Sequence, residues 1–165
     1  MKHIVGVADM KMSGEPGDLI VTHALGSCLG IAVHDPVAQV GGLLHVMMPL
    51  SSINPEKAED NPFMFVDTGV PAFFRELYAS GGYKARLIVK VAGGANVQET
   101  GNVRFAIGKR NLVVLKKLFW SNGILIDAQE VGGASARTMY LEIGSGRTWI
   151  TTAGKEKELG ARRAA

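Results

Sequence analysis

The chain has 165 residues, 47% apolar and 20% charged, the balance of an ordinary soluble domain, and it is long enough to bury one continuous core. Much of its net charge of +3 sits in the closing stretch GKEKELGARRAA, and no clustered basic face with interleaved aromatics stands out elsewhere, which argues against nucleic-acid recognition. A single cysteine excludes an internal disulfide and a cysteine-built zinc cage, so Cys28 acts through its own chemistry or as a small core residue.

The opening MKHIVGVADM has too short an apolar run for a signal-peptide core. GGLLHVMMPL is about half the length a bilayer span needs. The expectation is a cytoplasmic protein with no membrane insertion. Short runs rich in β-branched or apolar residues, most of them bounded by Gly, Pro or Asn, predict strands over 4–7, 18–22, 29–35, 42–48, 85–92, 124–131, 138–143 and 148–152. Two stretches have helical spacing instead. Phe63, Val66, Val70, Phe73, Phe74 and Leu77 precede Gly81-Gly82, and Ile107, Leu112, Leu115, Leu118 and Phe119 precede Gly123. Strands grouped early and late around two helices favour an α+β fold over a doubly wound sheet. One domain over 1–154 and a flexible tail over 155–165 complete the reading.

Within the strands, Asp35-Pro36-Val37-Ala38 has proline at the second position of a turn, and the flanking runs read as a β-hairpin. A turn symmetric about the Pro36-Val37 bond sets Cys28 directly opposite His45, where a thiol and an imidazole on one face meet. Such a pairing raises the thiolate fraction of a cysteine that is otherwise mostly protonated at neutral pH. Gly26 and Gly30 allow close backbone approach, so amide N–H groups near Cys28 are candidates to hold an oxyanion. Thr22, upstream on the incoming strand, is the candidate hydroxyl that orients the base. Spacing alone leaves a packing cysteine and a hydrogen-bonded core histidine open beside the catalytic pair.

The same residues carry a family likeness. The threonine and G-S-C-L-G over 22–30, the H-D-P turn, H-V-M-M-P over 45–49, V-A-G-G-A-N over 91–96, I-G-x-R-N over 107–111 and V-G-G-x-x-x-R over 131–137 resemble the CheD family of chemoreceptor glutamine deamidases. The likeness covers nearly the whole chain except the tail. It implies a layered sandwich with helices on one side of packed sheets, similar to the catalytic domain of cytotoxic necrotizing factor toxins. It further implies a cysteine hydrolase with Cys28 as nucleophile, His45 as base and Thr22 as orienting hydroxyl, and no metal or organic cofactor. The implied substrates are glutamines on the cytoplasmic helices of methyl-accepting chemoreceptors, and a CheC-type phosphatase is an implied partner. The rival readings are a non-catalytic regulator that binds and stimulates such a phosphatase, and a methylesterase acting on the same receptors.

Several residues read more plainly. His3, His23 and His34 lack a compact ligand motif and take surface or core roles. Gly93-Gly94 and Gly132-Gly133 read as turns, and Arg110 and Arg137 as structural or solvated. Met47, Met48 and Leu50 suit core packing or an adaptable peptide surface, and residues 51–62 read as a mobile loop that gates the substrate.

Overall fold

The computed structural model describes residues 1–96 and 106–160. In chain order the elements are β1 (Lys2–Val5), β2 (Asp9–Ser13), β3 (Leu19–Leu25), β4 (Leu29–Asp35), β5 (Val40–Val46), α1 (Pro55–Asp60), α2 (Val66–Ala79), β6 (Ile88–Gly93), α3 (Ile107–Ser121), β7 (Ala128–Val131), β8 (Arg137–Glu142), β9 (Thr148–Thr152) and β10 (Lys155–Glu158). The strands form two five-stranded sheets, β1-β3-β8-β9-β10 and β2-β5-β4-β6-β7. Each is mixed: β1 runs parallel to β3 and β6 parallel to β7, with the other pairs antiparallel. No helix among the described residues is long and apolar enough to cross a membrane.

The period of two along β4 and β5 explains the layering. Leu29, Ile31 and Val33 with Leu44 and Val46 face α2 and α3, where they meet Val66, Val70, Phe73, Leu77, Leu115 and Phe119. The alternate positions Ala32 and Leu43 face the other sheet and meet Ile20, Leu25, Met139, Leu141 and Ile150. With a helical layer on one side and a second sheet on the other, both strands are buried from end to end. Phe74 closes the helix pair edge-on to Phe119, ring centroids 5.8 Å apart. The result is the α+β fold read from the residues, with the layered sandwich that the family likeness implies.

Three expectations need correction. The hairpin is not symmetric about Pro36-Val37: Leu29 pairs with Val46 and Gly30 with His45, so Cys28 falls two positions short of facing His45. The reason is the turn. The Asp35 carboxylate accepts from the N–H groups of Val37 and Ala38, and Gln39 takes a left-handed φ of 57°, so four residues rather than two span the reversal and its centre shifts. Residues 51–62 are built rather than loose: a 3-10 turn at Ser51–Ile53 leads into α1, and Ser51 is tied to the Asp67 carboxylate by two bonds. Part of the presumed tail is sheet, since β10 pairs with β9 and Leu159 is buried against the second core. Residues 161–165 lie outside the described residues.

Candidate active site

Thr22 is at the middle of β3, in one sheet, where the regular ladder to β8 ends, and His45 near the end of β5, in the other; both are fully buried. The sandwich presses them together across the interlayer, with Thr22 Oγ1 2.7 Å from His45 Nδ1. The same hydroxyl donates to the Val5 carbonyl at 2.8 Å, and Val5 is the β1 residue that pairs with Thr22. A hydroxyl has one proton, so with that proton spent on Val5 it accepts from Nδ1–H. Neutral His45 is thereby fixed as the tautomer whose Nε2 carries a lone pair. Nε2 is buried and has no hydrogen-bond partner among the described residues. Burial lowers the His45 pKa to about 4, opposed by the charge of Asp9 on the neighbouring strand.

Cys28 sits just outside β4, on the bend that joins it to β3. Following the alternation of β4, it belongs to the interlayer face with Gly30 and Ala32, the face that also carries His45. The corrected register makes Cys28 a diagonal neighbour of His45, at a Cα spacing of about 7–8 Å in an ideal ladder. Gly30 lets the opposite sheet close down at this point: a Cβ there would lie 2.8 Å from Leu25 Cδ1 and 2.9 Å from Met139 Sδ.

The bend itself is held from several sides. The ladder between β3 and β8 breaks between Thr22 and Leu25, Ala24 adopts φ of 60°, and the chain turns out of the sheet. Gly94 N–H then donates to the Cys28 carbonyl at 2.9 Å and Ala95 N–H to the Gly26 carbonyl at 2.8 Å. Gly93 has φ of 108°, and a Cβ on it would stand 2.2 Å from the Cys28 carbonyl oxygen, so no other residue fits that position unmoved.

Two side chains that the sequence reading did not place at the site complete the frame. Asn111, fully buried on α3, donates its amide to the carbonyls of Ser27 at 3.0 Å and Met47 at 3.1 Å, joining the cysteine bend to the end of the histidine strand. Its signal was a polar residue on an apolar stripe, four positions from both Ile107 and Leu115. Arg137, also buried, donates to the carbonyls of Gly93 and Gly132 at 3.2 and 2.8 Å, and Gly132 N–H bonds back to the Gly93 carbonyl. Of the glycine pairs expected as turns, Gly93-Gly94 therefore lies against Cys28 and Gly132-Gly133 behind it, the two joined by one guanidinium.

The half-buried thiol does not have the electrostatics expected from sequence. Burial raises its pKa, with its own backbone N–H as the opposing influence, and no hydrogen bond joins Sγ to His45. Desolvation disfavours both ions, so the resting pair is thiol and neutral imidazole rather than thiolate and imidazolium. Such a pair can pass a proton from Sγ to Nε2 when an electrophile arrives, which is general-base activation. The arrangement is thus a thiol on a glycine-walled bend and a histidine with one nitrogen tied to a hydroxyl and the other unbonded among the described residues.

The chain belongs to the CheD family, whose model, described as CheD chemotactic sensory transduction, matches residues 47–152. It is 47% identical over 156 residues to a probable chemoreceptor glutamine deamidase CheD of Solibacter usitatus, covering 94% of this chain and 92% of that one. It is 44% identical over 151 residues to a probable chemoreceptor glutamine deamidase of Syntrophus aciditrophicus, covering 92% and 94% of the two chains. Alignments of that length run across Thr22, Cys28 and His45, which lie before the stretch matched by the family model.

Proposed function

We propose that this chain is a cysteine-dependent chemoreceptor glutamine deamidase, with Cys28 as nucleophile, His45 as base and Thr22 as the positioning hydroxyl. The observation that carries the reading is the Thr22 to His45 bond, which fixes a lone pair on Nε2 in a protein whose relatives bear that function in their names. In the first half-reaction Sγ attacks the side-chain carbonyl carbon of glutamine as its proton passes to Nε2. The carbonyl oxygen becomes an oxyanion held by backbone N–H groups of the bend. Nε2–H then protonates the amide nitrogen, the C–N bond breaks, ammonia leaves, and a thioester joins Cys28 to the substrate. Water yields a proton to Nε2 and attacks the thioester; the C–S bond breaks, the thiolate recovers the proton, and glutamate is released.

The sites of action are the cytoplasmic helices of methyl-accepting receptors, and the chain works in the cytoplasm. No oxidant or metal is needed for the atoms to balance. The raised thiol pKa favours the rival regulator, in which Cys28 only packs and the chain stimulates a CheC-type phosphatase. Intact-mass analysis of a receptor cytoplasmic fragment separates the two. Under the deamidase reading wild-type protein converts amide to acid, with the matching mass increase, and Cys28→Ala does not. A fragment left unchanged by wild-type protein favours the regulator.

A further inference from the structure

The sequence showed no clustered basic face, yet the fold makes one on α3. Its fifteen residues, IGKRNLVVLKKLFWS, include Lys109, Arg110, Lys116 and Lys117 and no acidic residue. All four cations are exposed, and among the described residues none forms an ion pair. Helices that merely need solubility usually mix signs at spacings of three and four. Here Lys109, Val113, Lys116 and Trp120 follow one another at spacings of four, three and four, along one solvent-facing line. Val113 is 57% exposed and Trp120 84%.

The first turns of this line form one wall of a groove of about 410 Å³ whose other wall is residues 49–53. Leu50 and Ile53 are 41% and 51% exposed there, an unusual amount of aliphatic surface to leave facing water beside a site. The groove and the candidate site share α3: Asn111, next to Arg110 but on the buried face, holds the carbonyls of Ser27 and of Met47, two residues before the groove residue Pro49. Glu56, Glu59 and Asp60 on α1 form no ion pair with the α3 cations, and among the described residues no carboxylate pairs with that positive rim.

We propose that the groove between α3 and residues 49–53 is the docking surface for the substrate, and that its occupant is an acidic amphipathic α-helix carrying the target glutamine. The proposal rests on the deamidase reading for what the bound helix undergoes. An apolar stripe seats against Leu50, Ile53 and Val113, and flanking carboxylates meet Lys109, Arg110 and Lys116. A channel with apolar side chains on both walls, α3 on one side and the 3-10 turn at residues 51–53 on the other, matches the helix-in-groove mode, whereas an extended peptide would be offered a free sheet edge. A lipid surface would be met by a flat or convex face rather than a channel.

The test uses the full chain and the purified cytoplasmic fragment of a chemoreceptor from the same genome. Lys109→Glu with Arg110→Glu, and separately Val113→Asp, should raise KM roughly tenfold or more while changing kcat by less than about threefold. Alkylation of Cys28 by iodoacetamide should proceed at the wild-type rate, which reports an intact site. The wild-type KM should climb with salt and that of the double variant much less. Unchanged KM in both variants overturns the docking surface while leaving the deamidase reading intact. Binding of the fragment is measured separately. If wild-type protein binds it in a charge-sensitive way without converting it, the surface stands and the deamidase reading falls; no binding at all overturns the surface. Loss by the double variant of binding to anionic phosphatidylglycerol vesicles or single-stranded RNA, with fragment binding unaltered, also overturns it.

Discussion

His34 and His45 make an instructive pair. They lie on neighbouring strands of one sheet, both face the interlayer, both are buried, and burial lowers both pKa values. His34 spends Nε2 on the Ile143 carbonyl at 2.7 Å, and its ring is walled in by glycine: a Cβ on Gly146 would lie 2.5 Å from Nδ1, and one on Gly41 3.1 Å from Cδ2. His45 spends Nδ1 on Thr22 and keeps Nε2 unbonded among the described residues, on the same face as the lone thiol. Burial and a depressed pKa therefore mark neither residue as chemical. What separates them is which nitrogen the fold consumes, and whether a nucleophile stands near the other.

The largest difference should appear in turnover. His45→Ala should reduce kcat for fragment deamidation about 10²–10⁴-fold, the range of a lost general base. His34→Ala should leave kcat per folded molecule nearly unchanged while costing about 1–3 kcal/mol of stability, because the Ile143 carbonyl loses its buried donor. Ammonia release and urea denaturation, run on both variants, measure the two halves. Equal loss of kcat in the pair would erase the distinction.

Asn111→Ala should come next. It leaves the Ser27 and Met47 carbonyls without their shared donor, so roughly 1–3 kcal/mol of stability is lost and the cysteine bend loosens. The functional sign is a slower kcat with preserved KM in stopped assays. Thr22→Val keeps the shape but frees the imidazole to change tautomer, and a decrease of about 10-fold in kcat is expected from lost orientation. Nitrogen-15 shifts of His45 should show the Nδ1–H form in the wild type and a mixture in the variant.

The last prediction concerns stability against pH rather than turnover. With the His45 pKa lowered from 6.5 to about 4, the unfolded chain binds a proton that the native chain refuses between those values. Stability contributed by this site is complete above about pH 6.5 and declines as pH falls toward 4, by roughly 3 kcal/mol in all. Comparing urea midpoints of wild type and His45→Gln at pH 7 and pH 4.5 isolates that slope, which should flatten in the variant. His34 contributes in the same direction and remains in both proteins.

Much of this was legible in the chain. The interior strands β4 and β9 were read to the residue, because continuous apolar or β-branched runs bounded by turn residues leave little freedom. The edge strands β2 and β10 were not: DMKMS lacks β-branched residues, and KEKE carries only charge, as unpaired edges commonly do. Cys28, His45 and Thr22 were named from spacing and likeness, yet the proposed facing of Cys28 and His45 rested on a turn whose centre depends on an aspartate side chain and a left-handed glutamine. Asn111 and Arg137 stayed hidden at the site because each acts on carbonyls far away in sequence, and no local pattern encodes those partners. The thiol's raised pKa likewise follows from burial by distant segments.

Trapping the intermediate tests the central claim most directly. Mixing the protein with receptor fragment and quenching in acid within one turnover should yield a covalent species whose mass is the sum of the two chains less ammonia, with the link mapped to Cys28, and none should form with Cys28→Ala. Deamidation at full rate by Cys28→Ala, with no thioester at any time, would contradict the account.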